Sequence, residues 1–495
     1  MRPTPFLSCT LVLSALTALA CTGATLGENE PGADVYMEGS PGYDAEEDGR
    51  CVYTGSIATD EGSTRAWAMV TEHAEDCWDV DSDDVAESKL IYAATPGVAL
   101  AEPMLDVGGY EDVRLLQPSA GLLVMAEEGG ADNLFLLDPE ALELVDHQPV
   151  SARYHGTRLS PSRRWVAVAD NNELFYPIHI LDPETSLEPT VIPHGGDWLE
   201  GMWLSQSDRF AAVIFNLELA TVRLVVWDME GLDSLADCEW EAPLVSRTLT
   251  GFSPDWSFSF TWIGVAPDDG AVVFPMKDAE GEHILLVMDP DSGALREVRD
   301  AAGPVGFTPD GGTIVSYRYD DDDDPVLLLI DAATLAVTEW PIPMVDGPSY
   351  FVTREGGAVV IASSYGGDSL IVYDIETGGY THLGGPGLSL DLNEFVSRMG
   401  HDELWLVSDG LFRLDFTELV LEPIGTDFFP RHINHLPEQD LLVLDDEVDP
   451  RLIFYDPDSR DVHSEARFDA PAERVGESPE QIREIVSLRE LAAAR

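Results

Sequence analysis

From about residue 110 to 470 the chain alternates short apolar runs with clusters of turn-forming residues, as in Trp165-Val166-Ala167-Val168-Ala169 followed by Pro177-Ile178-His179-Ile180-Leu181. Runs of this length bounded by turn residues predict strands. One turn recurs: an apolar strand ends in Asp, a short turn follows, and another strand begins. Its aspartates are Asp138, Asp182, Asp228, Asp289, Asp331, Asp374, Asp415 and Asp456, separated by 44, 46, 61, 42, 43, 41 and 41 residues. A second turn lies upstream in each repeat, clearest in Leu159-Ser160-Pro161-Ser162 and Phe307-Thr308-Pro309-Asp310-Gly311-Gly312. The interval between the two turns holds one hairpin. Each repeat therefore reads as strand, turn, strand, loop, strand, Asp turn, strand.

Pro and Gly set the backbone of the first turn, and Asp caps the second by accepting bonds from neighbouring amides. A four-stranded sheet with two apolar faces must stack on neighbours, and closing the stack into a ring removes its exposed ends. The expected fold is all-β: a β-propeller of eight four-stranded antiparallel blades, or seven with one repeat displaced by the 61-residue gap. Phe252-Ser253-Pro254-Asp255-Trp256 offers an extra turn in an insertion, or the remnant of a blade, to fill that gap. The Phe307–Gly312 and Met288-Asp289-Pro290-Asp291-Ser292-Gly293 motifs resemble bacterial WD40-like, TolB-like and YVTN-type propellers over residues 110–470. Ile330-Asp331-Ala332-Ala333-Thr334 with Trp340 resembles one repeat of quinoprotein-like propellers, a class with eight-bladed outer-membrane members.

Residues 51–109 form a pre-propeller segment in which Leu90–Ala94 and Val98–Ala101 predict a hairpin packed on the ring. Residues 471–495 predict a short C-terminal helix, with Ile482, Ile485, Val486, Leu488 and Leu491 at helical spacing. Residues 1–20 read as a signal peptide: Arg2 precedes an apolar run from Phe6 to Ala20 that is too short to span a bilayer comfortably. Its end, Leu16-Thr17-Ala18-Leu19-Ala20-Cys21, resembles a bacterial lipobox, which implies lipidation at Cys21. Residues 21–50 are rich in Gly, Pro, Asp and Glu, the composition of a disordered acidic tether. Thr22, where Asp would signal retention, implies export to the outer membrane, on its periplasmic or surface face. No later segment is apolar for long enough to cross a bilayer. Export permits disulfides, and Cys51 and Cys77 are the natural pair, leaving Cys238 a free, buried thiol.

Charge narrows the partners. Against 92 acidic residues stand 27 basic ones, a net charge of -65, and Lys89 and Lys277 are the only lysines. Such a surface excludes nucleic acid, whose recognition needs clustered Lys and Arg. Adaptation to salt accounts for the same surface without any partner. No Gly-X-Ser-X-Gly or His-Glu-X-X-His motif is present, which removes the signatures of hydrolases and zinc proteases. Asp79-Val80-Asp81-Ser82-Asp83-Asp84 opens like a calcium loop, but Asp84 replaces the turn glycine and Leu90 the bidentate Glu.

The remaining candidate chemistry is acidic. The run Asp320, Asp321, Asp322, Asp323 and Asp324 and the cluster Asp445, Asp446, Glu447 and Asp449 fall in loops between the second and third strands of their repeats. Glu127, Glu128, Asp132, Asp170, Glu173, Asp278, Glu280 and Glu282 fall in others, so one face should be strongly acidic, with calcium as its candidate ion at the Asp320 run. His155, His432 and His435 fall near first strands, where a channel site would lie. The expected function is a monomeric, envelope-anchored, non-enzymatic scaffold for protein partners or ligands. The alternative is a propeller enzyme of lactonase or quinoprotein-like type working from the central channel.

Overall fold

The computed structural model describes residues 51–468, apart from connecting stretches that include 60–63, 74–87, 108–112, 171–176, 193–197, 255–262, 320–324, 343–347, 364–368, 385–393 and 447–450. The expected signal peptide, Cys21, the expected tether and the expected C-terminal helix lie outside the described residues.

The eight repeats form eight four-stranded antiparallel blades of a β-propeller, each with its strands in chain order. The second repeat is typical: Tyr154–Leu159, Val166–Asp170, Ile178–Asp182 and Ser186–Val191. Second and third strands are apolar on both faces, as in Phe210↔Trp227 and Phe215↔Val222 of the third repeat, because a neighbouring sheet covers each face. Fourth strands, such as Glu143–Pro149 and Val245–Thr250, are largely exposed and form the rim. First strands of several neighbouring sheets touch one another and line the centre.

The segment ahead of the repeats adds a ninth sheet of the same design: Cys51–Thr59, Ala66–His73, Ser88–Ala94 and Leu105–Asp106. The strand expected near Leu90–Ala94 is there, but its described neighbours Val98, Ala99 and Leu100 are turn and loop, so the expected hairpin does not form. The sheet packs on the first repeat through Trp67, Met69 and Ile91, and on the eighth through Ala66, Ala68 and Ala94. With an apolar cluster between each other neighbouring pair, the ring is closed.

The long interval between the third and fourth repeats has two causes among the described residues; of the turn expected at Phe252–Trp256, Asp255 and Trp256 lie outside them. The third-to-fourth-strand connection of repeat three is enlarged, running from Asp228 to Val245 around a single 3-10 turn at Leu235–Asp237. The first strand of repeat four is also split: Ser253–Pro254 and Gly264–Val265 both pair with Val272–Lys277. No helix of the described residues is long and apolar enough to cross a membrane.

Candidate functional site

In a sheet of this order, the second strand ends, the third begins, the fourth ends and the first begins at one end. The loops between second and third strands therefore share one face of the ring, the loop face. The Asp turns and the first turns share the other, the turn face.

On the loop face the described carboxylates are more buried than the sequence reading expects. Glu127, Asp132, Asp170, Asp445 and Asp446 are all buried, so as members of a solvated acidic face they are corrected. Asp445 ends the second strand of the eighth repeat. Its Oδ1 accepts the backbone N–H groups of Arg431 (2.9 Å) and His432 (2.7 Å), while its Oδ2 lies 2.6 Å from His432 Nδ1. Asp446 Oδ1 accepts the Phe429 N–H at 3.2 Å, and its Oδ2 accepts Arg451 Nε (2.9 Å) and Nη2 (2.7 Å). Two buried carboxylates thus fix the link that enters the last inner strand, with Phe429 left 53% exposed at its tip. Asp132 accepts the N–H of Tyr154, the first residue of the next repeat's inner strand. In repeat four Asp278 Oδ1 accepts the N–H groups of Glu280 and Glu282, whose own side chains are exposed.

The inner-strand histidines are tied down in the same manner. His435 is buried, its Nε2 is 3.2 Å from Asp440 Oδ1, and burial holds its pKa below the usual value against the pull of Asp440. His432 sits directly before the inner strand Ile433–Leu436 against Asp445. His155 lies in an inner strand, opposite Ala169. A buried histidine the sequence reading did not single out, His179, stands between the Tyr154 hydroxyl (Nδ1, 2.9 Å) and Asp170 (Nε2, 4.0 Å). Burial, aided by Asp170 and Asp132, holds the Tyr154 hydroxyl far above its ordinary pKa.

On the turn face, each predicted aspartate stands where the third strand turns into the fourth, and each caps that turn. Asp138 accepts the Ala141 N–H, Asp228 the Glu230 N–H, and Asp182 the Thr185 hydroxyl. Asp289, Asp415 and Asp456 each accept two backbone N–H groups on Oδ1. Asp331 and Asp374 each take both the N–H and the hydroxyl of a threonine three residues on, Thr334 and Thr377. Bonds from backbone amides to Asp289 and Asp456 hold those carboxyls below the usual range, since a bond to the ionised form favours ionisation.

The turn face also carries bridges between repeats that the sequence reading missed. Arg398, in the first turn of repeat seven, reaches Asp440 (2.7 Å) and Asp458 (2.8 Å) of repeat eight while bonding Glu403 (3.1 Å) in its own sheet. Arg209 of repeat three bonds Asp291 of repeat four at 2.6 Å. Asp269 of repeat four accepts Gln206 N–H (2.9 Å) and the Ser207 hydroxyl (2.6 Å) of repeat three. Arg247 and Arg296 project from fourth strands to backbone carbonyls in the next repeat's Asp turn. Arginine suits this work because its planar fork meets two acceptors at once. The legible trace was arginine in or beside the first turns, at Arg163, Arg164, Arg209 and Arg398.

Cys238 is a buried free thiol as expected, packed in the cluster between repeats two and three, and burial pushes its pKa up to about 11. Such a thiol is a poor nucleophile. Cys51 opens the first strand opposite His73, but Cys77 lies outside the described residues, as do Asp320 to Asp324, Glu173, Glu447 and Asp449. Among the described residues no group of three or more His, Cys, Asp or Glu side chains is arranged to hold a metal ion.

No protein family matches the sequence, and no curated protein does. Solved structures of similar fold include the dihydro-heme d1 dehydrogenase NirN (16% identity over 71% of this chain and 74% of that one, TM-score 0.45). BamB from Moraxella catarrhalis is 12% identical over 69% of this chain and 92% of its own, with a TM-score of 0.40. The WD40 domain of Toxoplasma gondii coronin is 14% identical over 60% and 79%, with a TM-score of 0.41.

Proposed function

We propose that this propeller is an envelope-anchored, non-enzymatic scaffold that binds cationic protein segments or a divalent cation on its loop face. The observation that carries the reading is topological. The order of strands collects every second-to-third-strand loop on one face, and in sequence those loops include the run Asp320 to Asp324, Glu447 and Asp449, beside the exposed Glu280 and Glu282. A net charge of -65 with two lysines makes the long-range field attractive to cations and repulsive to phosphate-bearing polymers. The buried carboxylates hold the framework, and the loops beyond them are left to meet the partner. The anchor rests on the lipobox-like end at Cys21 and the polar stretch leading to the first strand.

The test uses the full chain expressed in a bacterial host. It should partition to membranes and incorporate palmitate, with the label lost in Cys21→Ser. On the purified protein, calcium should raise the melting temperature more than NaCl of equal ionic strength. The increment would be about 2.7 kcal/mol at one hundred times the dissociation constant. Asp321→Asn with Asp323→Asn should remove that increment and spare the NaCl response. Calcium no better than NaCl would refute the ion site, and palmitate label surviving Cys21→Ser would refute the anchor.

A channel enzyme would draw on the pair of His432 and Asp445. His432, oriented by Asp445 at the entry to an inner strand, has the geometry of a positioned imidazole.

A further inference from the structure

Among the described residues every sheet of the ring is one contiguous stretch of chain, and none borrows a strand from another part of it. Nine sheets in chain order have eight connections for nine interfaces. The interface without one lies between the N-terminal sheet and the eighth repeat. Elsewhere a partial separation leaves two sheets on a short leash, so reclosing is intramolecular at high effective concentration. Here the contact is held by side-chain packing and by a few bonds such as Gly97 N–H to Ser464 Oγ (2.9 Å) and the Tyr92 and Phe468 rings 5.1 Å apart.

The described side chains of the N-terminal sheet's second strand are smaller toward this seam than toward the first repeat. That strand, Ala66–His73, splits by alternation. Trp67 and Met69 face the first repeat, where Trp67 Nε1 also donates to Gln117 Oε1 at 2.8 Å, while Ala66, Ala68 and Val70 face the eighth. The third strand is mixed, with Ile91 and Ala93 toward the first repeat and Tyr92 and Ala94 toward the eighth. Each alanine forgoes most of the apolar area that a larger side chain would bury, so the second strand buries less apolar area toward the eighth repeat than toward the first.

We infer that the ring opens at this seam: the N-terminal sheet moves away from the eighth repeat as a unit while staying docked on the first. Opening uncovers two matched apolar faces, Ala66, Ala68 and Ala94 on one side and Leu441, Val443 and Phe454 on the other. The mobile element is the one that directly follows the acidic tether in sequence.

Thiol labelling of buried single cysteines in the full chain, resolved by peptide mass spectrometry so that native thiols do not interfere, measures the opening directly. Ala68→Cys and Ala466→Cys report the seam from its two sides, and Ala212→Cys, in the cluster between repeats two and three, is the control. All three sites are buried alanines, so the substitution itself is matched. The expected result is that both seam sites label roughly tenfold faster than Ala212→Cys, and with matching rates, as one sub-global opening requires. If a seam variant fails to fold by circular dichroism, Ala94→Cys replaces it. Equal rates at seam and control, or faster labelling at Ala212→Cys, would overturn the inference.

Discussion

Two groups of aspartates, one on each face of the ring, serve opposite purposes. On the turn face Asp289, Asp331, Asp415 and Asp456 stay at the surface, and each satisfies nearby amides of its own turn. On the loop face Asp445 and Asp446 are buried, and they fasten the link from one repeat to the next inner strand. A surface cap is stabilising by local bonds that water would otherwise make. A buried carboxylate forfeits its hydration and returns it only through several strong partners. The loop-face aspartates should therefore be much the less replaceable.

The largest effect expected is at Asp446, whose removal takes from the buried Arg451 guanidinium the oxygen that accepts both its Nε and its Nη2. Asp446→Ala should destabilise the protein by about 3 kcal/mol, read as a fall in the denaturant midpoint at constant slope. A loss under about 1 kcal/mol would erase the distinction between the faces. Next comes the one buried arginine that bridges turns, Arg398. Its partners Asp440 and Asp458 are solvent-exposed and screened, and its buried partner Glu403 keeps the bonds from Trp405 and Arg413, so Arg398→Leu should cost about 2 kcal/mol.

The smallest effect is at the caps. Asp456→Ala should cost about 0.5 kcal/mol, because the amides it releases at an exposed turn can bond water. Acid sharpens the contrast. The Arg398 bonds hold the Asp440 carboxyl at about 2, and backbone amides hold Asp456 below its usual value. A depressed folded pKa gives stability that is present above the unfolded value, near 3.9, and lost as pH falls toward the folded one. Acid unfolding between about pH 5 and pH 2 should therefore be blunted in an Asp440→Asn variant, in a denaturation series across that window. An unchanged acid limb would show that the turn-face carboxyls are not what acid attacks.

The same contrast explains what was legible in the sequence. The Asp turns were readable because the cap is local: the residue that ends the strand also bonds the amides two and three positions on, so spacing alone finds it. The ninth sheet escaped because its third strand ends in Ala93-Ala94-Thr95-Pro96-Gly97, a Pro-Gly turn that needs no carboxylate. Asp445 and Asp446 were misread for a related reason. A run of acidic residues at the end of a strand has the composition of a solvated loop, and their acceptor roles depend on a segment more than ten residues away in the chain. Arginine bridges to backbone carbonyls, such as Arg247 to Ser292 and Gly293, are harder still, since any residue type supplies a carbonyl.

That no sheet shares a strand with another has a consequence for how the chain is ordered. The ring itself has no first member, and its one unlinked joint falls between the first and the last sheet of the described region. Joining the ends of the described region and cutting instead between repeats two and three would be a circular permutation that keeps all nine interfaces. It would place the break at the tryptophan-rich contact of Trp165, Trp203 and Trp227. In this chain the unlinked joint falls instead at the contact that holds Ala66, Ala68, Ala94 and Ala466, so the absent linkage and these small side chains fall at one place in the circle.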